Sequence, residues 1–150
     1  LAQTKIVLIT PPPIDGATST PLNGSETQED IDAINAQKKE GVRYKTYMSK
    51  KRYAEGLMGI ADEYAKTGRV VGLNYWRGMV EASGLGTWEE WEESGLWPGS
   101  MLVGAKGFEK GWFMDGLHLD RKGYAVLNKM LMEAVEEKWP ELAPEKLENV

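Results

Sequence analysis

The sequence predicts an α/β fold with a parallel sheet, of which these 150 residues form the C-terminal part. Three observations lead there. KIVLITPPP (5–13) and RVVGLNYW (69–76) are short β-branched runs, apolar on both faces, as buried parallel strands are. Between them lies a long segment of helical periodicity. Strand, helix and strand in that order imply a parallel crossover, and so helices layered on a sheet. Two strands are too few for a stable open sheet, which usually has four to six, so further strands are expected upstream of Leu1.

Each element has its own signal. Proline cannot donate to a ladder, so Pro11 marks the end of the first strand. Residues 14–26 are loop by composition, with a chance-level glycosylation sequon at Asn23-Gly24-Ser25. A polar helix is expected from Thr27 to about Gln37. A stronger one runs from about Lys45 to Lys66, with Ala54, Leu57, Met58, Ala61, Tyr64 and Ala65 on one apolar stripe and Gly68 as its stop. Thr87 and Glu90 form a capping box for a short helix carrying Trp88 and Trp91. MLVGA (101–105) is read as a third short strand. A final helix from Arg121 to Trp139 is capped by Asp120, ended by Pro140, and expected to bury Tyr124, Leu127, Leu131, Ala134, Val135 and Trp139.

Composition narrows the function. Hydrophobic residues make up 41% and charged residues 27%, the balance of one globular domain able to bury its own core. Without cysteine, disulfides and thiolate zinc sites are excluded, and a single histidine excludes a His-rich metal site. A net charge of −5 argues against nucleic acid as the main partner. The local basic run Lys38, Lys39, Arg43, Lys45, Lys50, Lys51 and Arg52 is read as a solvated helix face. No stretch suits a membrane span or a signal peptide, which leans the unknown localisation toward the cytoplasm.

The one histidine sits in FMDGLHLDRKGY (113–124), three residues after Asp115. A neutral imidazole can take a proton from a nucleophile and return it to a leaving group. A carboxylate on its other nitrogen fixes the tautomer and stabilises the imidazolium. Across a tight turn at Gly116, Asp115 could reach His118 locally. By itself D-x-x-H is a weak pattern, and a structural histidine beside a turn-capping aspartate is the plainer alternative.

KIVLITPPPID, RYKTYMSKKRYAEGLMGIA, VVGLNYW and FMDGLHLDRKGYAVLNKML, in this order, resemble the C-terminal half of an SGNH (GDSL-type) hydrolase, closest to the isoamyl acetate-hydrolysing esterase branch. In that family a strand ending I-T-P-P-P precedes a helix with a Tyr-Ala pair, here Tyr53-Ala54, and D-G-L-H-L introduces the last helix. Residues 87–111 match least well and are read as an insertion or lid. The resemblance implies an SGNH/flavodoxin-like α/β/α domain, residues 1–150 being a single partial copy.

It also implies a serine ester hydrolase acting on short-chain carboxylic esters through an acyl-enzyme, without metal or organic cofactor. His118 would be the general base and Asp115 its orienting acid. The family's nucleophilic serine, in a Gly-Asp-Ser block, and its oxyanion-hole glycine and asparagine belong to upstream blocks. Ser19, Ser25, Ser49, Ser83, Ser94 and Ser100 are the serines present, and none stands in such a context. The partners expected are therefore a small ester and the N-terminal portion of the same domain.

Pro12, Trp112 and Phe113 are candidates for the substrate pocket. The rim prolines could equally form a rigid turn, and the tryptophans of the 87–112 region are read first as a satellite core. Two rivals stand beside the esterase: a non-catalytic interaction or scaffold module derived from that fold, and a metal site using Asp115 and His118 with further carboxylates.

Overall fold

The structure, a computed structural model, describes residues 4–16 and 24–147. It is a mixed α/β arrangement: β1 (Ile6–Ile9), α1 (Gln28–Glu40), α2 (Val42–Ala65), β2 (Val70–Leu73), α3 (Tyr75–Ala82), α4 (Trp88–Ser94), α5 (Arg121–Lys138), a 3₁₀ turn (Pro140–Leu142) and α6 (Pro144–Leu147). β1 and β2 pair in parallel, Ile6 opposite Val70 and Ile9 opposite Leu73. The sequon residue Asn23 lies outside the described residues, as does Ser19.

α2 packs on the sheet through small residues. Ala54 and Ala61 are buried, and a Cβ at Gly72 of β2 would stand 2.6 Å from Ala61 Cβ and 2.8 Å from Met58 Cε. Close helix–strand approach is thus built from Ala and Gly. The predicted stripe is only partly covered, since Tyr64 is half exposed. α1 begins as expected, Thr27 and Asp30 forming a reciprocal capping box, and runs one turn beyond the predicted end.

Two expected strand assignments fail. The second strand stops at Leu73 rather than Trp76, because the Asn74 side chain accepts the Arg77 N–H at 3.1 Å and starts α3. α3 then acts as a wedge. Trp76 and Val80 join Tyr47, Ala54, Trp91 and Trp97 in one cluster, while Tyr75 and Met79 join Trp112 and the inner face of α5 in another. Residues 101–105 form no strand: Met101 is left-handed (φ 68°), and Ala105 N–H closes a turn on the Leu102 carbonyl.

The 87–111 region is firmly anchored. Asn35 is buried and holds Val103 twice, Nδ2 donating to its carbonyl at 3.1 Å and Oδ1 accepting its N–H at 2.7 Å. Tyr47 donates to the Pro98 carbonyl at 2.8 Å and Lys38 to the Met101 carbonyl at 2.8 Å. Lys51 is buried beside Glu55 with its ammonium 4.4 Å from the Trp97 ring centre. The tryptophans do not form a separate satellite core: Trp91 and Trp97 belong to the cluster around Tyr47 and Trp76, and Trp112 to that of Tyr75 and Met79.

α5 is capped by Asp120 and ends at Lys138, with Trp139 buried and its indole N–H on the Gly68 carbonyl. Tyr124, expected inside, is exposed. Gly123 takes the inward position, where a side chain would meet the Trp112 carbonyl, and its own carbonyl accepts the Tyr75 hydroxyl at 2.8 Å.

Because Gly72 has no room for a methyl group against α2, Gly72→Ala should destabilise the chain by about 1–3 kcal/mol. A lower urea midpoint at unchanged slope is the expected readout.

Candidate active site

Residues 112–120 form a small closed hairpin. Phe113 bridges Leu119 antiparallel, Met114 N–H donates to the His118 carbonyl at 2.8 Å, and Asp120 N–H donates to the Trp112 carbonyl at 2.9 Å. Gly116 sits at the tip with φ 82°, a conformation that favours glycine.

Within this turn Asp115 binds three donors. Oδ1 accepts the N–H groups of Leu117 at 3.0 Å and His118 at 2.8 Å, the pattern of an Asx turn. Oδ2 lies 2.7 Å from His118 Nδ1. The spacing of three places the carboxylate in reach of the ring because the chain between them is folded back. Hydrogen bonds from the His118 backbone and ring, then from the Leu117 amide, pull the Asp115 carboxyl down to about 2.

A carboxylate on Nδ1 leaves Nε2 as the working nitrogen. The His118 side chain is 70% exposed, and Nε2 has no hydrogen-bond partner among the described residues. The arrangement can therefore exchange a proton with a group brought to Nε2, while Asp115 holds the ring and offsets its positive charge.

The turn is held in place by the segment after β1. Asp15 N–H donates to the Gly116 carbonyl at 2.7 Å, and Gly16 N–H to the Gly99 carbonyl at 3.0 Å. Asp15 Oδ2 accepts the Phe108 N–H at 3.3 Å. Thr10, at the end of β1, is buried, donating its N–H to Leu73 and accepting the Trp76 N–H. The Asp–His turn is thereby fastened beyond the C-terminal end of the strand, where open α/β sheets bind ligands.

Beside the turn opens a cleft of about 740 Å³. Asp115, Gly116 and Leu117 form one wall, Arg43, Thr46 and Lys50 of α2 another, with Ile14 and Met101 between them. The sequence offered no sign of these neighbours except the basic run. Pro12, Trp112 and Phe113 do not line this cleft. Trp112 is buried in the α3–α5 core, Phe113 is half-buried edge-on to Phe108, and Pro12 is half-buried in the post-strand turn. Met114 and Leu117 are the exposed apolar side chains flanking His118.

Ser83 and Ser94 donate to the carbonyls of their own helices, Ser25 and Ser49 are exposed, and Ser100 is wholly buried with an unpartnered hydroxyl. None is hydrogen-bonded to the imidazole. Among the described residues no group of three His, Asp or Glu side chains is placed to hold a metal ion.

The contribution of Asp115 to the turn follows from its lowered pKa: it is complete above the ordinary carboxylate value of 3.8 and lost as pH falls through about 2. The Leu117 and His118 amide resonances should therefore titrate together with a midpoint near 2, and in Asp115→Asn that transition should be absent. Gly116→Ala should loosen the same turn, since its Cβ would strike the Asp15 carbonyl. The measured sign is faster hydrogen exchange at Asp15, Leu117 and His118 with little change at Val70–Leu73.

Compared with protein-family models, with curated proteins and with solved structures, the chain matches none.

Proposed function

We propose that this chain supplies the acid–base half of a serine ester hydrolase of SGNH type, acting on short-chain carboxylic esters. The observation that carries the reading is the 2.7 Å contact of Asp115 Oδ2 with His118 Nδ1 beside an exposed, unpartnered Nε2. In the reaction Nε2 takes the proton of a serine hydroxyl as its oxygen attacks the ester carbonyl. The imidazolium then protonates the departing alkoxide, leaving an acyl-serine. Water, deprotonated at the same nitrogen, releases the acid and frees the serine. The serine is delivered by sequence outside these 150 residues.

The state of the sheet supports a missing half. Ile6 N–H bonds Arg69 and Thr10 N–H bonds Leu73, so alternation turns the N–H and C=O groups of Val7 and Ile9 to the opposite edge. No described segment pairs there. Ile6 and Ile9 are each 39% exposed, against the expectation of a strand covered on both faces. Tyr53, Leu57, Ile60 and Tyr64 add a half-covered apolar stripe along α2. With the right-handed crossover that parallel strands adopt, this stripe lies on the β1 side. An adjoining strand and helix of an α/β/α domain would cover both.

The second reading is a non-catalytic interaction module derived from the same fold, favoured by the lack of a described serine bonded to His118. A fluorophosphonate probe on the intact natural protein separates the two. The enzyme reading expects labelling of a serine outside these residues, and loss of roughly 10,000-fold in ester turnover in His118→Ala. Silence, or labelling that is indifferent to His118, overturns it.

A further inference from the structure

We infer that the cleft beside the Asp115–His118 turn is an anion subsite, with Arg43 and Lys50 as its cationic wall, and that it takes a carboxylate or phosphate group carried by the substrate. As a statement of substrate class this rests on the esterase reading; as a statement of binding it stands by itself.

The basic run is where the selection shows. Lys38 donates to the Met101 carbonyl, Lys45 pairs with Glu40 at 2.9 Å, and Lys51 is buried against Glu55 and Trp97. Lys39, Arg43, Lys50 and Arg52 have no ion-pair or side-chain hydrogen-bond partner among the described residues, and of these four Arg43 and Lys50 line this cleft. Seven residues apart, they lie two turns from each other, roughly 10 Å along one helix face. Thr46 stands between them.

Two carboxylates, Asp115 and Asp15, line the same cleft, and neither is ion-paired with Arg43 or Lys50. Asp115 is engaged by the Leu117 and His118 amides and the imidazole, and Asp15 accepts the Phe108 N–H. Each sits in its own set of donors. A cleft of about 740 Å³ is of the size that holds a small ligand. An anion there meets two charge-assisted donors, Arg43 offering a planar fork and Lys50 a point charge. The wall of the cleft opposite them carries the backbone next to His118. A substrate whose anionic end docks on α2 lies beside the histidine turn, and a neutral ester lacks that anchor.

The test is binding to the intact protein, read by amide shifts of Gly16, Thr46, Gly116 and Leu117. The probes are monomethyl succinate, inorganic phosphate and neutral methyl butyrate. Monomethyl succinate should shift these amides saturably, methyl butyrate at least several-fold more weakly. The R43Q/K50Q variant should lose affinity by roughly tenfold or more. R43K/K50R should retain binding, and K45Q on the same helix should leave it unchanged, which separates loss of charge from loss of fold.

Saturation by phosphate but not by monomethyl succinate supports the anion site and assigns it to phosphorylated substrates. No saturable shift, equal binding of methyl butyrate, or unaltered affinity in R43Q/K50Q overturns it. The serine probe reports separately: anion binding without labelling keeps the subsite and sinks the esterase, and labelling without anion preference does the reverse.

Discussion

The main-chain hydrogen bond from Asp15 to Gly116 is the constraint on which the site depends. One donates and the other accepts at the point where the chain leaves β1 and where the histidine turn reaches its tip. The same segment binds Gly99 through Gly16 and Phe108 through the Asp15 carboxylate. Three stretches distant in sequence thus converge on a few atoms just beyond the strand. A side chain at Gly116 cannot fit against the Asp15 carbonyl, and a Cβ at Gly99 would press on the Ile14 carbonyl. Glycine at both places is a packing requirement as well as a turn requirement. Pro11, Pro12 and Pro13 then reduce the freedom of the strand's exit, so that Asp15 arrives in a defined place.

The Asp115–His118 pair itself is short-range. Asp115 reaches its three donors within three residues, and the antiparallel bridge of Phe113 with Leu119 closes the turn around them. Such a unit needs no long-range packing to set the Nδ1–carboxylate distance. It needs the fold only to aim it. That division explains why an exposed carboxylate is nonetheless held so far below its ordinary range: three donors fixed by one turn, two of them main-chain amides, act on it together.

Much of this was legible in the sequence because it is local. The Asp115–His118 spacing, the Thr87 capping box and the Asp120 cap are interactions within a few residues, and each is formed. The helix between the strands followed from periodicity. α3 was hidden because VVGLNYW is apolar on both sides of Asn74, so a strand and the first turn of a helix read alike until Asn74 is recognised as a cap. Tyr124 was misplaced because its periodic position is apolar in type, whereas Gly123 beside it lets α5 close on Trp112. The cleft was illegible for another reason. Arg43 and Lys50 meet Met101 and Leu117 only through the tertiary fold, and no pattern within a helix tells a solvated lysine from one facing a cleft.

What a hydrolase demands beyond the pair is a distance, that from Nε2 to the nucleophilic oxygen, and this is set differently. On the proposed reading the nucleophile arrives with the rest of the sheet, so its position depends on the register in which a further strand meets Val7 and Ile9. A slip of one residue in a sheet turns every side chain to the other face, which would carry a serine away from the imidazole altogether. The apolar groups left half exposed on β1 and α2 then have a specific physical task. Burying them fixes the register, since only one alignment places strand against β1 and helix against Tyr53, Ile60 and Tyr64 together. The histidine turn can be correct alone, but its reach to a hydroxyl is a property of the completed sheet.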